Sequence, residues 1–309
     1  MNAKNTGALL LLSALWGGSF LFMRVASPVL GPVVLIELRV LIAGLALLLY
    51  SLLGRHKLDL RRRWRHYLVI GIINSALPFT LIATAELHLT AGLAAILNAT
   101  SPLFGAVVAA LWLRETLTPG KVLGLLLGIT GVSVLVGWSP LPFSTTIALS
   151  IAASLAASAF YGLASVYTKI HMQGASSVAV ATCSQLGASL FLLPLVPVVP
   201  LQHTPTLPVL LAVATLGLLC TGFAYLIYFQ LIANIGPTRA LTVTFLSPIF
   251  GVLWGALVLG ELVTWSTLLG FAIILGGTGF VTGVLRFRQR RAKRSSGHVS
   301  ALIKPPCAE

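Results

Sequence analysis

The sequence predicts an all-α integral membrane fold in which ten transmembrane helices form two inverted repeats of five helices each. Three observations predict it: an apolar composition, a segment that occurs twice, and basic residues that fall in alternate loops. Hydrophobic residues make up 57% of the 309-residue chain, charged residues make up 8%, and the mean hydropathy is +0.99. A water-soluble fold with this composition could not cover its own surface with polar groups, so the bilayer is the expected solvent.

Ten stretches are long and apolar enough to cross a bilayer, for which a helix needs about 20 apolar residues. They lie at about 7–26, 33–53, 67–86, 91–113, 119–138, 146–168, 176–196, 209–232, 238–260 and 264–285. We expect all ten to be helices, because a helix satisfies its backbone hydrogen bonds internally. The stretches also lack the alternating pattern of a membrane barrel.

Two segments that start 146 residues apart have closely similar sequences. The first, 101–118, begins Ser-Pro-Leu-Phe-Gly, the second, 247–264, begins Ser-Pro-Ile-Phe-Gly, and both end on Glu-x-x-Thr. We therefore divide the chain into a first repeat at 7–138, a second repeat at 146–285 and a basic tail at 286–309. Because each repeat has an odd number of spans, the second enters the membrane from the opposite side, and the repeats are inverted.

Basic residues occur in alternate loops. If Lys4 is cytoplasmic, 18 of the 20 Lys and Arg fall in cytoplasmic loops and in the tail, and the outward loops contain none. This distribution predicts that both termini are cytoplasmic. Topology therefore accounts for the formal charge of +14, and no nucleic-acid partner is expected. The tail also suits contact with anionic lipid.

Helical spacing directs polar and aromatic residues of several spans toward one central cavity. Ser13, Trp16 and Phe20 share a face of the first span, and Tyr161 and Ser165 repeat that spacing on the sixth. The candidate substrate-binding residues are Ser13, Trp16, Phe20, Asn98, Ser101, Tyr161, Ser165, Tyr225, Tyr228, Thr244 and Ser247. Such a wall suits a zwitterionic or mildly polar organic molecule with an apolar part. The alternative is that these residues serve helix packing and the aromatic belts of the membrane interface.

Pro102 and Pro248 occupy equivalent positions in the fourth and ninth predicted spans. A proline inside a helix removes one backbone donor and frees a carbonyl. Such breaks in matching spans of two repeats indicate a binding site or a hinge, and both prolines are candidate gating residues. The alternative is a static kink that only shapes the packing.

Glu37 is the only carboxylate inside a predicted span, since Glu86, Glu115 and Glu261 lie at span ends. Arg39 follows Glu37 two residues later. The Glu37 and Arg39 side chains point to nearly opposite sides of the helix, so they do not pair with each other. A charge inside the bilayer is costly, so Arg39 needs a carboxylate, carbonyl or substrate partner unless it snorkels to the outer surface. Both residues are candidates for charge coupling, with Glu37 as the candidate proton carrier. Plain facilitated diffusion is the alternative.

Several kinds of chemistry lack a signature in the sequence. Cys183, Cys220 and Cys307 are isolated, the histidines do not cluster, and no phosphate-binding glycine loop occurs, so we expect no metal and no cofactor. An integral-membrane enzyme acting on a lipid or peptide remains the alternative to a carrier. A serine enzyme of that kind needs a histidine base from another span, yet no histidine lies deep within a span. An ion channel would need a carbonyl filter or an acidic ring.

Four features resemble the ten-span EamA branch of the drug/metabolite transporter superfamily, over about residues 7 to 285. They are the string Leu15-Trp16-Gly17-Gly18-Ser19-Phe20, Arg39, the pair Pro102 and Pro248, and the Glu-x-x-Thr motifs at Glu115 and Glu261. The resemblance implies the drug/metabolite transporter fold and a carrier of the bacterial inner membrane, commonly an exporter of amino acids or other small metabolites. It also implies a central cavity between the two halves. It leaves the substrate and the oligomeric state open.

Overall fold

A computed structural model describes residues 2–138, 144–199 and 201–285. Within those residues the regular secondary structure is entirely helical. Nine helical stretches of the described chain are long and apolar enough to cross a membrane, and a tenth apolar helix, Val243–Leu259, is shorter. The predicted all-helical membrane fold is confirmed. The basic tail at 286–309, with its expected lipid contact and Cys307, lies outside the described residues.

The helices follow the predicted spans closely, and the bounds below replace the approximate ones. The first half contains α1 (Ala3–Leu30), α2 (Pro32–Leu53), α3 (Leu60–Gly71), α4 (Leu77–Ala85), α5 (Ala91–Asn98), α6 (Ser101–Trp112) and α7 (Pro119–Gly137). The second half contains α8 (Thr145–His171), α9 (Ser177–Leu192), α10 (Leu207–Gly217), α11 (Ala224–Ile235), α12 (Pro237–Ala240), α13 (Val243–Leu259) and α14 (Trp265–Thr282). A 3₁₀ segment at Leu193–Val198 extends α9.

Two short π-helical segments interrupt matching spans. Ile72–Ala76 joins α3 to α4, and Leu218–Phe223 joins α10 to α11. They start 146 residues apart, which is the offset of the repeated segments. A π segment inserts an extra residue into the helical turn, and such segments are frequent at functional sites. Hydropathy does not reveal them, because each lies within a mainly apolar stretch of its span.

The fourth and ninth spans are interrupted rather than continuous, which corrects the expected helices at 91–113 and 238–260. In the fourth span the break falls at Ala99 and Thr100, just before the proline of α6. In a continuous helix Pro102 would face the Asn98 carbonyl without a donor. Instead, the Ser101 hydroxyl donates to that carbonyl at 2.6 Å. In the ninth span the break lies between α12 and α13, at residues 241–242.

Glycines set the closest helix crossings. A Cβ on Gly17 of α1 would overlap the backbone of α13 at Gly251, and a Cβ on Gly162 of α8 would overlap the backbone of α6 at Gly105. α7 and α14 cross in the same manner, with glycines of each helix against backbone of the other. Small residues allow such close approach between membrane helices, and these crossings fix the spans around a central cavity.

Threonine caps explain the last residue of each Glu-x-x-Thr motif. Thr118 Oγ1 accepts a hydrogen bond from the Lys121 amide at 3.4 Å, and Thr264 Oγ1 accepts one from the Thr267 amide at 3.3 Å. A threonine at this position satisfies an amide that the first helical turn leaves unpaired. The motifs therefore start α7 and α14.

Candidate functional site

A cavity of about 380 Å³ lies between spans of both halves. Its volume falls at the lower end of the roughly 300–1,000 Å³ typical of small-molecule sites. Ten of the eleven candidate substrate-binding residues line it: Trp16, Phe20, Asn98, Ser101, Tyr161, Ser165, Tyr225, Tyr228, Thr244 and Ser247. The wall also includes Arg39, Pro102 and Pro248. The structure thus brings together residues that the sequence separates by more than 200 positions.

Ser13 is the candidate that the structure leaves off the cavity wall. Its side chain is fully buried, and its hydroxyl donates to the Leu9 carbonyl at 2.8 Å. A serine inside a helix commonly turns its hydroxyl back onto the carbonyl four residues earlier. Spacing alone placed Ser13 on the face of Trp16, but the cavity does not extend that far along α1.

Aromatic rings form two groups on the cavity wall. Trp16 of α1 packs against Tyr228 and Tyr225 of α11, with ring centroids 5.2 and 6.4 Å apart. Tyr161 of α8 packs against Phe79 of α4 at 6.3 Å. The cavity therefore offers flat apolar surface from both halves.

Arg39 is a buried guanidinium on the cavity wall, with 4% of its surface exposed. Its Nε donates to Thr221 Oγ1 at 3.0 Å, and its Nη1 points at Met23 Sδ at 3.3 Å. The guanidinium carbon lies 3.6 Å from the centre of the Phe79 ring, a cation–π contact. Both ion pairs seen in the described chain belong to Glu115, so Arg39 has no carboxylate partner there. The Arg39 side chain is thus buried among neighbouring helices rather than extended to the protein surface.

Glu37 lies away from the cavity. Its side chain is 3% exposed, and its Oε1 accepts a hydrogen bond from Ser189 of α9 at 2.6 Å. Its Oε2 finds no hydrogen-bond partner within the described residues. Glu37 and Arg39 thus face different neighbours, as their two-residue spacing on α2 predicts. The Glu37 carboxylate is not open to water, because α9 covers it.

A second buried carboxylate was not singled out because it is the last residue of the predicted span at 67–86. Glu86, directly after α4, is fully buried. Arg24 donates a hydrogen bond to the Glu86 backbone carbonyl, and neither side-chain oxygen of Glu86 has a partner in the described part of the chain. Its burial could not be inferred from its place at the end of a predicted span.

A hydrogen bond that mirrors the one from Arg39 was also missed. Gln185 of α9 donates to Ser75 Oγ at 3.1 Å, and Ser75 belongs to the first π segment. Gln185 lies 146 residues after Arg39, and Thr221 lies 146 residues after Ser75. In both pairs, a long polar side chain of one half meets a π-segment hydroxyl of the other half. Shifting Arg39 by the repeat offset would have found Gln185.

The two gating candidates occupy different helical positions. Pro102 is the second residue of α6, where its missing amide would have no helical partner anyway. Pro248 lies inside α13, where it removes a hydrogen bond to the Thr244 carbonyl. The expectation that both lie inside helices is correct for Pro248 and wrong for Pro102, since the chain breaks before Pro102.

Glu261 joins two elements at one end of the bundle, here called the Glu261 end. Its carboxylate oxygens accept hydrogen bonds from the amides of Ala91 and Gly92, at 2.7 and 3.0 Å. These amides begin α5, where a helix presents unpaired donors and the positive end of its dipole. Glu261 thus ties the segment after α13 to the start of α5.

Glu115 lies at the opposite end, here called the Glu115 end, and is held differently. It forms ion pairs with Lys169 at 3.0 Å and with Lys121 at 3.2 Å. The hydrogen bonds from Lys169 and Lys121 lower the pKa of the Glu115 carboxyl. Its side chain remains 36% exposed, so these contacts are surface ion pairs. Among the described residues, no backbone amide donates to this carboxylate.

Comparison with known proteins agrees with this architecture. A family model, the EamA-like transporter family, matches the chain twice, at residues 6–137 and 148–283. The chain belongs to the EamA-like transporter family. Its resemblance to that family, inferred from the motifs, is confirmed.

EamA relatives match over almost the whole chain. The uncharacterized transporter YvbV of Bacillus subtilis is 28% identical over 282 residues, covering 88% of this chain and 90% of YvbV. The uncharacterized inner membrane transporter YedA of Escherichia coli K12 is 28% identical over 280 residues, covering 89% and 90%. One solved crystal structure shares the fold, with a TM-score of 0.64 at 19% identity over 92% of this chain and 98% of that one. The protein is therefore a multi-pass membrane transporter.

Proposed function

We propose that this protein is a secondary transporter of the bacterial inner membrane that exports a small metabolite, such as an amino acid, by alternating access. The observation that carries the proposal is the central cavity, whose wall combines aromatic rings, hydroxyls and one cation from spans of both halves. An integral-membrane enzyme is the alternative. Within the described residues, no histidine contributes to the cavity wall, so the base that a serine nucleophile needs is missing there.

Contacts between the halves support an inverted repeat. The bond from Arg39 to Thr221 becomes the bond from Gln185 to Ser75 when each residue is exchanged for its counterpart 146 positions away. Likewise, the crossing of α1 on α13 corresponds to that of α8 on α6. A pseudo-two-fold axis in the membrane plane generates such exchanged pairs.

The different contacts at the two ends support alternating access. The Glu261 end is held by hydrogen bonds between an acidic side chain and the start of α5. With both termini in the cytoplasm, as the basic residues predict, the Glu261 end is the outer one. The structure then corresponds to a state closed to the outside. Rocking of the two halves, hinged near Pro102 and Pro248, would exchange this state for one closed at the Glu115 end.

Coupling to a proton gradient is a further part of the proposal, with facilitated diffusion as its alternative. Glu37 is the candidate proton carrier, because it is buried and its Oε2 is unpaired among the described residues. Proteoliposomes with an imposed pH gradient test it. Accumulation that follows the gradient in the wild type and is lost in Glu37→Gln is expected. Accumulation unaffected by that variant excludes Glu37.

Metabolite profiling tests the proposed function as a whole. Cells that overproduce the protein should enrich one class of small metabolite in the medium, and purified protein in liposomes should exchange that compound in counterflow. A new lipid or peptide product, with no compound exchanged, would favour the enzyme instead.

A further inference from the structure

Arg39 is the one charged side chain on the cavity wall among the described residues. We propose that the transported molecule carries a carboxylate that pairs with Arg39 and an apolar body that packs on the neighbouring rings, and that organic cations are excluded. This inference rests on the proposed function, because it assigns the charge of the substrate to the same cavity.

The first argument is the missing countercharge. Arg39 is 4% exposed, and its contacts are a hydroxyl, a thioether and an aromatic ring, all of them uncharged. In the described chain, neither Glu37 nor Glu86 lies within ion-pair distance of it, and the Glu86 carboxylate acts on it only electrostatically from farther away. A buried charge within a membrane bundle normally has a partner of opposite sign. An entering carboxylate supplies that charge, whereas an entering cation would add a second positive charge to an unpaired one.

The second argument is the fixed geometry of the guanidinium. Thr221 donates its own hydroxyl hydrogen to the Leu216 carbonyl at 2.8 Å, so its oxygen is turned to accept from Arg39 Nε. Phe79 supports one face of the guanidinium. No hydrogen bond from Nη2 is seen within the described residues. A guanidinium held in this manner presents a preorganised donor to a carboxylate oxygen.

The third argument concerns four of the other polar groups on the wall. The hydroxyls of Ser101, Ser165, Thr244 and Ser247 each donate to a backbone carbonyl of their own span, at 2.6 to 2.9 Å. Their hydrogens are therefore already engaged, and a bound anion gains little from them. Arg39 remains the strongest donor that faces the cavity.

The rings near Arg39 define the apolar part of the ligand. Phe79 touches the guanidinium and packs against Tyr161, while Trp16 and Tyr228 cover another part of the wall. Flat rings of this kind bind aromatic or aliphatic bodies. We therefore expect an organic acid with an apolar chain or ring rather than an inorganic anion.

Matched probes test the charge requirement on the purified full-length protein in lipid nanodiscs. The probes are 3-phenylpropanoate, 3-phenylpropanamide and 2-phenylethylammonium, with butanoate, butanamide and butylammonium as a smaller set. Calorimetric binding at pH 7.5 should favour at least one acid over its amide by about tenfold or more, since hydrogen bonds to charged groups are the stronger ones. Tighter binding of the amine or amide, or no acid binding in either set, overturns the proposal.

Three variants separate a binding role of Arg39 from a folding role. Arg39→Gln should remove the preference for the acid, and Arg39→Lys should restore part of it. Gln185→Met is the matched control, because it breaks the mirror hydrogen bond and leaves the cavity charge unchanged, so the preference should persist. Size-exclusion profiles and the Tm without ligand report folding. An acid preference that survives in a folded Arg39→Gln protein contradicts the assignment.

Counterflow distinguishes the two proposals. An acid that binds through Arg39 without being exchanged across the liposome contradicts the transporter function and leaves the charge assignment standing. Preferred exchange of an amine contradicts the charge assignment and leaves the transporter function standing.

Discussion

Glu115 and Glu261 occupy the same position in two copies of one segment, and the chain folds the same way around both. The residue before each has a left-handed backbone, with φ of 54° at Arg114 and 67° at Gly260. The amides of both glutamates donate to the carbonyl six residues earlier, at 3.4 and 3.1 Å. The repeated sequence therefore encodes a repeated local structure.

The partners of the two carboxylates nevertheless differ. Glu261 accepts from the backbone amides that begin α5, whereas Glu115 pairs with the ammonium groups of Lys121 and Lys169. The element that corresponds to the start of α5 is the start of α12, and it opens with Pro237, which has no amide hydrogen. At the start of α12, the Glu115 carboxylate would find fewer backbone amide donors. The comparison shows that the local sequence determines the conformation of the turn, while the arrangement of the spans determines which groups its glutamate binds.

The largest effect is expected from breaking the Glu261 contact. Glu261→Ala removes two hydrogen bonds to an ionised group, each contributing about 1.5–3 kcal/mol. The Glu261 end should open more readily, and the transport rate in proteoliposomes should change by about tenfold or more. Glu115→Ala, the matched control, should change it severalfold less, because exposed ion pairs contribute about 1 kcal/mol or less. If the two variants changed the transport rate equally, the proposed functional difference between the two ends would be wrong.

The prolines should have the next largest effect, and they too should differ. Pro102→Ala with Pro248→Ala is expected to slow turnover severalfold while leaving the folded protein in place. Pro248→Ala alone should account for most of this, because Pro248 interrupts α13 from inside and Pro102 occupies the first turn of α6. Turnover in counterflow measures both. A double variant with wild-type turnover would show that neither proline takes part in the motion.

Substitutions of Trp16 and Tyr161 compare the two groups of aromatic rings on the cavity wall. Replacement of either by Ala should raise the apparent KM severalfold and lower the protein level less. Trp16→Ala should have the larger effect, because Trp16 packs against two rings and Tyr161 against one. Initial rates in liposomes, normalised to the amount of protein, provide the measurement. If both variants lose only protein level, these rings serve packing.

The smallest effect is a pH dependence at the Glu115 end. Lysine contacts lower the pKa of Glu115, so their stabilisation is present above the ordinary glutamate pKa and is lost as the pH falls through the lowered one. The Tm difference between the wild type and Glu115→Gln should therefore be present at neutral pH and vanish once the pH has fallen below the lowered pKa. A difference that stays constant over this range would contradict the role of the lysines.

Much of the fold could be predicted because the hydropathy of the spans and the loop positions of the basic residues reflect the surrounding membrane. They do not depend on contacts between distant spans. The cavity wall was predictable as well. Helical spacing determines which face of a helix carries residues such as Trp16 and Tyr225. The repeat offset then identifies the corresponding face in the other half. Ser13 was misplaced because spacing gives the face of a helix and not the depth of the cavity.

Other features depend on contacts between distant spans, and sequence patterns do not contain them. The π segments and the breaks at 99–100 and 241–242 change the turn of apolar helices without changing their composition. The burial of Glu86 arises only when distant spans pack around it.

The most direct test of alternating access is a pair of distance measurements between spin labels in a cysteine-free background. One pair, at His88 and Leu262, reports the Glu261 end, and the other, at Leu117 and Arg239, reports the Glu115 end; all four side chains are exposed. We predict a narrow distance distribution at the Glu261 end of the wild type. In Glu261→Ala this distribution should broaden to longer distances while the distance at the Glu115 end shortens. Distances that stay unchanged at both ends in Glu261→Ala would contradict alternating access controlled by this contact.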